Sequence, residues 1–254
     1  MTRIFSTVMN KGGSLKTSIT VNIASQLSLK GYKVLVIDLD EQCNVLLSFQ
    51  RKNAPHNIND FLVNNREIED VVVNVSTGLD VINGPNSGFT LESEIRKKKK
   101  ENPLFILEEK LEEIKGKYNF IFLDTPPSLG FSTALALVAC NEILIPFHPE
   151  LYGSSGLLKT IEQVEELKKS LNPDARIKKV IPVKVDKRSK YHKKTIEECE
   201  EFLSQKGLEL SKVRIWDTKD GINSLFEESR PPILSRKYNK LKQVYKNLTL
   251  EVVK

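Results

Sequence analysis

Residues 9–18 read MNKGGSLKTS, placing Lys11 and Lys16 on either side of a glycine pair and just ahead of the hydroxyls of Thr17 and Ser18. Residues of these types at this spacing make a phosphate cradle. Glycines let backbone approach an anion, amides at a helix start donate to it, and a lysine neutralises it. Gly12, Gly13, Ser14, Leu15, Lys16 and Thr17 supply the run of amides. Lys16 reaches the β- and γ-phosphates, Thr17 ligates Mg²⁺ through its hydroxyl, and Ser18 touches the α-phosphate. The usual pattern G-x-x-x-x-G-K-[ST] asks for glycine where Asn10 and Leu15 stand. Lys11 is extra to that pattern and needs a reason of its own.

A magnesium–triphosphate site also needs carboxylates. Asp124 ends the apolar run YNFIFL, where a phosphate-loop enzyme keeps the aspartate that holds magnesium, directly or through a coordinated water. Asp38 and Asp40 close the run YKVLVIDLD. Strand alternation predicts that both lie on one face, Asp38 supporting the metal shell and Asp40 orienting the attacking water.

These groups meet only if the elements carrying them lie side by side. RIFSTVM predicts a strand near Ile4–Val8, followed by a helix from Lys16 in which Ile19, Ile23 and Leu27 recur until Gly31 stops it. YKVLVIDLD, LDVINGP, YNFIFLDTPP, EILIPFHPE and RIKKVIPVKV read as further strands, alternating with helical patterns. The expected fold is α/β, a doubly wound, mostly parallel sheet with helices on both faces, forming one domain over residues 1–254. In such sheets ligands bind beyond the carboxyl ends of the strands, where Lys11–Ser18, Asp38–Asn44 and Asp124–Ser128 converge.

Composition narrows the classes. No apolar run approaches the roughly 18 residues of a membrane span, and the amino terminus lacks an export-signal layout, so a cytoplasmic protein is expected. Cys43, Cys140 and Cys199 are far apart without a C-x-x-C, which argues against a disulfide framework or a zinc or iron–sulfur site and for small buried hydrophobes. A net charge of +6 points to a polyanionic partner.

With these motifs in place, the chain resembles the ParA/MinD superfamily of deviant Walker ATPases, and most of all the ParA-type partition ATPases. Lys11-Gly12-Gly13-x-x-Lys16-Thr17 is similar to that family's K-G-G-x-x-K-[ST] loop, VLVIDLDEQCN to its D-x-D-x-Q-x-N segment and FLDTPPSLG to its D-[TC]-P-P switch. IPFHPELYGSSGL, VKVDKRSKYHKKTIEE and the RPPI at 230–233 fit as well. The resemblance accounts for Lys11. In an ATP-sandwiched homodimer it reaches the phosphates bound by the other subunit, in the manner of an arginine finger. Lys11, Lys16 and Asp40 are then the catalytic set, with ATP and Mg²⁺ as cofactors. Adenine contacts are expected from the loop after IPVKV, from Pro182 to Asp186. Three positions depart from the pattern: Leu15 replaces a common glycine, Glu41 a frequent proline, and Asn141 a frequent aspartate at a position read as structural.

Partition ATPases bind double-stranded DNA without sequence preference, so the resemblance directs attention to Lys187, Arg188, Lys190, Lys193 and Lys194. Arg188 is the leading candidate, and Lys219, Arg230, Arg236, Lys237 and Lys240 extend the patch. RKKKK at 96–100 reads equally well as a solvated turn. The implied partner is a ParB-like centromere-binding adaptor that stimulates hydrolysis. Because the chain begins at its first strand, no separate amino-terminal DNA-reading domain is expected. A MinD-like membrane-surface regulator would use the same switch but carry a terminal amphipathic helix, which KYNKLKQVYKNLTLEVVK matches only in part. An iron–sulfur carrier of the superfamily would need paired interface cysteines.

Overall fold

The computed structural model describes residues 2–51, 54–85, 91–150 and 153–254, the side chains of residues 153 and 154 excepted. The chain runs β1 (Arg3–Thr7), α1 (Lys16–Leu29), β2 (Val34–Asp38), α2 (Asn44–Leu47), α3 (Ile58–Leu62), α4 (Ile68–Val71), β3 (Val73–Ser76) and β4 (Leu79–Ile82). It continues through α5 (Leu91–Lys98), α6 (Ile106–Glu113), β5 (Phe120–Asp124), α7 (Phe131–Ala139), β6 (Glu142–Phe147) and α8 (Gly153–Leu171). β7 (Arg176–Pro182), α9 (Lys190–Gln205), α10 (Asp220–Glu228) and α11 (Asn239–Val253) complete it.

The strands form one sheet in the order β3-β4-β2-β5-β1-β6-β7, parallel throughout except that β3 runs antiparallel to β4. β2 and β5 are buried along their whole length, which is why they read as unbroken apolar runs. Alternate side chains serve opposite cores. Leu35 and Ile37 pack with Leu135 and Leu137 of α7, whereas Val34 and Val36 pack with Ile19, Ile23 and Leu27 of α1. The edge strand β3, VNVS, is not foreseen by the sequence, because it is short, half-exposed and without an apolar run.

β1 and β5 lie side by side, yet α1 leaves the first on one face of the sheet and α7 follows the second on the other. That divergence opens a crevice at the carboxyl ends of the central strands. In α11, Leu241, Tyr245, Leu248 and Val252 are buried in the core that holds α1. Asn141 is structural as expected: its side-chain oxygen accepts the Ile4 N–H at 2.9 Å.

Candidate nucleotide site and basic surface

The loop from β1 to α1 is shaped by two left-handed residues, Gly13 at φ 71° and Leu15 at φ 61°. Leu15 thus occupies a conformation that costs an ordinary side chain about 1–2 kcal/mol, the physical reason the common pattern has glycine there. Its side chain packs against the α1 core. Open space surrounds the position a Gly12 side chain would take. Lys16 is 7% exposed, and its ammonium donates to the carbonyls of Met9 and Lys11, each at 3.3 Å. Burial lowers its pKa, against the opposing pull of Asp124 and Asp40. Lys11 is exposed and forms an ion pair with Glu150.

The carboxylates gather behind this loop. Thr17, in the first turn of α1, donates its hydroxyl to Asp124 at 2.6 Å, and Thr20 donates to the other oxygen at 3.2 Å. Asp124 is fully buried, and desolvation pushes its pKa up to about 6, with Thr17 and Lys16 pulling the other way. Asp38 stands opposite Asp124 across the β2–β5 pairing. Burial, reinforced by Asp124, raises its pKa well above the usual carboxylate range. Its two oxygens accept the N–H groups of Asp40 at 2.9 Å and Val45 at 3.0 Å, so this aspartate organises the turn that follows.

Asp40 lies two residues beyond the end of β2, in a turn closed by the Cys43 N–H on its carbonyl, and its charge acts on Asp38, Asp124 and Lys16. From there the half-buried Asp40 opens onto a cleft of about 460 Å³ that it shares with Gly12, Lys16 and Thr17. Gly84 backs the turn so closely that a side-chain carbon on it would stand 2.4 Å from the Asp40 carbonyl oxygen. Nothing in the LDVINGP motif alone marks that approach.

A second, more apolar cleft of about 580 Å³ adjoins the first, and Gly13, Leu15, Ser18, Ser48 and Leu225 line both. Its walls include Lys184, Ile215, Trp216, Thr218, Pro231 and Pro232. Asn22 of α1 accepts the Ile233 N–H at 2.8 Å and so fixes the RPPI segment beside the cleft. The expected Pro182 and Asp186 do not line it. Pro182 is buried at the end of β7 with its carbonyl taken by the Ile215 N–H, and Asp186 accepts the Arg188 N–H in the next turn. Lys184, between them, does line it. The strip from Ile215 to Thr218 escaped sequence reading, although Trp216, the one tryptophan of the chain, was a signal available to it.

The basic candidates separate into groups. Lys187, Arg188 and Lys240 line one groove beside the apolar cleft, with Lys187 held 4.2 Å over the Trp216 ring. The Arg188 side chain is 93% exposed and lies 3.7 Å from Asp186. Lys190 is exposed, while Lys193 and Lys194 pair along α9 with Glu197 and Glu198. Lys219 lies on the wall of the apolar cleft, and the Arg230 guanidinium donates to the Glu228 carbonyl. In the RKKKK run Arg96, Lys97 and Lys99 pair with Glu92, Glu94 and Glu109, the solvated arrangement.

A parallel sheet whose first strand runs through a glycine loop into a helix, with a buried aspartate on the neighbouring strand held to that helix's threonine, defines a phosphate-loop nucleotide-binding protein. A family model described as an AAA domain matches residues 2–177. The sporulation initiation inhibitor protein Soj of Bacillus subtilis is 31% identical over 209 residues, covering 81% of this chain and 82% of Soj. The structure of a putative plasmid partition protein from Borrelia burgdorferi bound to AMPPNP superimposes with a TM-score of 0.76 at 25% identity, covering 100% of this chain and 98% of that one. The septum site-determining protein MinD of Pyrococcus horikoshii, complexed with Mg-ADP, gives a TM-score of 0.78 at 24% identity, covering 100% and 97%. The chain therefore belongs to the ParA/MinD superfamily of AAA-domain proteins, among its ParA-type members.

Proposed function

We propose that this chain is an ATPase of DNA partition, which dimerises around two Mg·ATP, binds double-stranded DNA without sequence preference as that dimer, and is released on hydrolysis stimulated by a ParB-like adaptor. The observation that carries the reading is the 2.6 Å hydrogen bond from Thr17 to Asp124 beneath a loop bearing both Lys11 and Lys16. It leaves the threonine oxygen free to accept a cation while the buried aspartate behind it supplies the charge. Among the described residues no group of three or more His, Cys, Asp or Glu side chains could hold a metal by itself. One hydroxyl with a carboxylate behind it suits Mg²⁺, which keeps several waters and binds through substrate phosphates.

Within this reading Lys16 and the amides of residues 12–17 hold the phosphates, Ser18 contacts the α-phosphate, and Asp40 orients the water. Asp38 supports the metal side indirectly, through the turn it fixes. The base occupies the apolar cleft at Lys184 and Trp216. Lys11 leaves Glu150 to act on the nucleotide of the second subunit. Lys187, Arg188, Lys190 and Lys240 make the DNA surface. The membrane-surface alternative is not preferred, because Leu241, Tyr245, Leu248 and Val252 of α11 are spent on the core. The test is binding to two unrelated DNA duplexes with ADP and then ATP. Equal, ATP-dependent and salt-sensitive binding to both is expected; binding to anionic vesicles in place of DNA would overturn the reading.

A further inference from the structure

Three lysines surround the glycine pair, and two of them have partners: Lys16 rests on loop carbonyls and Lys11 pairs with Glu150. The third, Lys184, reaches the loop from the far side of the sequence, out of the turn after β7. Its backbone is left-handed at φ 52°, a conformation unusual for lysine and imposed by the turn. Its side chain lines the apolar cleft, and its ammonium nitrogen lies 3.4 Å from the point where a side-chain carbon on Gly13 would stand. Among the described residues that ammonium makes no hydrogen bond or ion pair. A half-buried, unneutralised ammonium beside the glycines of an anion-binding loop is poised for the anion itself.

We propose that Lys184 is a third lysine of the nucleotide site, one that binds the phosphate chain in cis with its ammonium while its methylene stem closes the base cleft. The inference rests on the reading of this crevice as a nucleotide site and extends it to a residue outside the phosphate-loop motif. A stem on apolar surface with the charge at its rim is the ordinary behaviour of lysine, and the point charge needs no bidentate geometry to serve a phosphate.

The test uses the full-length protein, with Lys184→Met, which keeps an unbranched stem of similar size, and Lys184→Arg, which keeps the charge. Thermal unfolding first establishes that both variants fold. ADP binding is then measured by calorimetry without magnesium at two salt concentrations, and adenosine binding by displacement of a fluorescent nucleotide. For Lys184→Met we expect about tenfold weaker ADP binding, a loss that shrinks at high salt, unchanged adenosine binding, and recovery in Lys184→Arg. Unchanged ADP affinity in Lys184→Met, or an equal loss for adenosine and ADP, would overturn the phosphate role. Failure of the wild-type chain to bind ADP would instead overturn the nucleotide reading, and this proposal with it.

Discussion

Lys11 and Lys16 carry the same charge in one loop but are held in different ways, and their substitutions should therefore separate. Lys16 is buried on the loop's own carbonyls, whereas Lys11 is exposed and, among the described residues, paired with Glu150. Lys11→Ala should retain ADP and ATP binding while losing ATP-dependent dimerisation and hydrolysis together, as read by calorimetry, sizing and phosphate release. Losing one exposed ion pair should change stability by less than about 1 kcal/mol. Asp40→Ala should behave in the opposite way. The carboxylate faces the cleft without bonding to Lys16 or Thr17, so ATP should still close the dimer while hydrolysis falls by about 100-fold, the usual scale for removing a general base. Normal turnover in that variant would mean that another group orients the water.

At the scale of elements, the turn after β2 depends on a partner far along the chain. Gly84 touches the Asp40 carbonyl, so Gly84→Ala must displace the turn. We expect hydrolysis to drop with ADP affinity kept, and stability to fall by about 1–3 kcal/mol from overpacking. A variant with wild-type turnover would show that the turn has room to yield. The strands β2 and β5 were legible because both their faces are buried, and β1 because it is buried from Phe5 onward; each ends near a polar or acidic residue, which also gave away Asp38, Asp124 and the phosphate loop. The apolar cleft was not. Residues 214–218, RIWDT, have neither period nor glycine, and they reach the site through backbone bonds from Ile215 N–H to Pro182, from Val185 N–H to Ile215 and from Asp217 N–H to Val185. Which of residues 182–186 faces the cleft turns on the left-handed backbone at Lys184, and lysine gives no local signal for that conformation. Asp40 was found for its chemistry although β2 ends two residues before it, since the end of a strand cannot be read to the residue from an apolar run.

Across the whole molecule, the charge of +6 matters less than where it is presented to solvent. Arg96, Lys97 and Lys99 are neutralised locally, while Lys190 and Lys240 are exposed and Arg188, 3.7 Å from Asp186, keeps 93% of its side chain in solvent. One such patch offers ~3 phosphate contacts and two aligned in a dimer about twice that, so the logarithmic salt slope of DNA binding should steepen towards about −5. Replacing Arg188 and Lys190 with glutamate should weaken DNA binding at least tenfold and leave ADP affinity and ATP-dependent dimerisation unchanged; full DNA affinity in that variant would move the contact surface elsewhere. All of this depends on whether ATP brings two chains together, which the mass of the protein in solution, measured first with Mg·ADP and then with Mg·ATP under conditions of slow hydrolysis, decides. The expected result is a single chain of 28.9 kDa with ADP and twice that mass with ATP. An unchanged monomer with bound ATP would contradict the central claim.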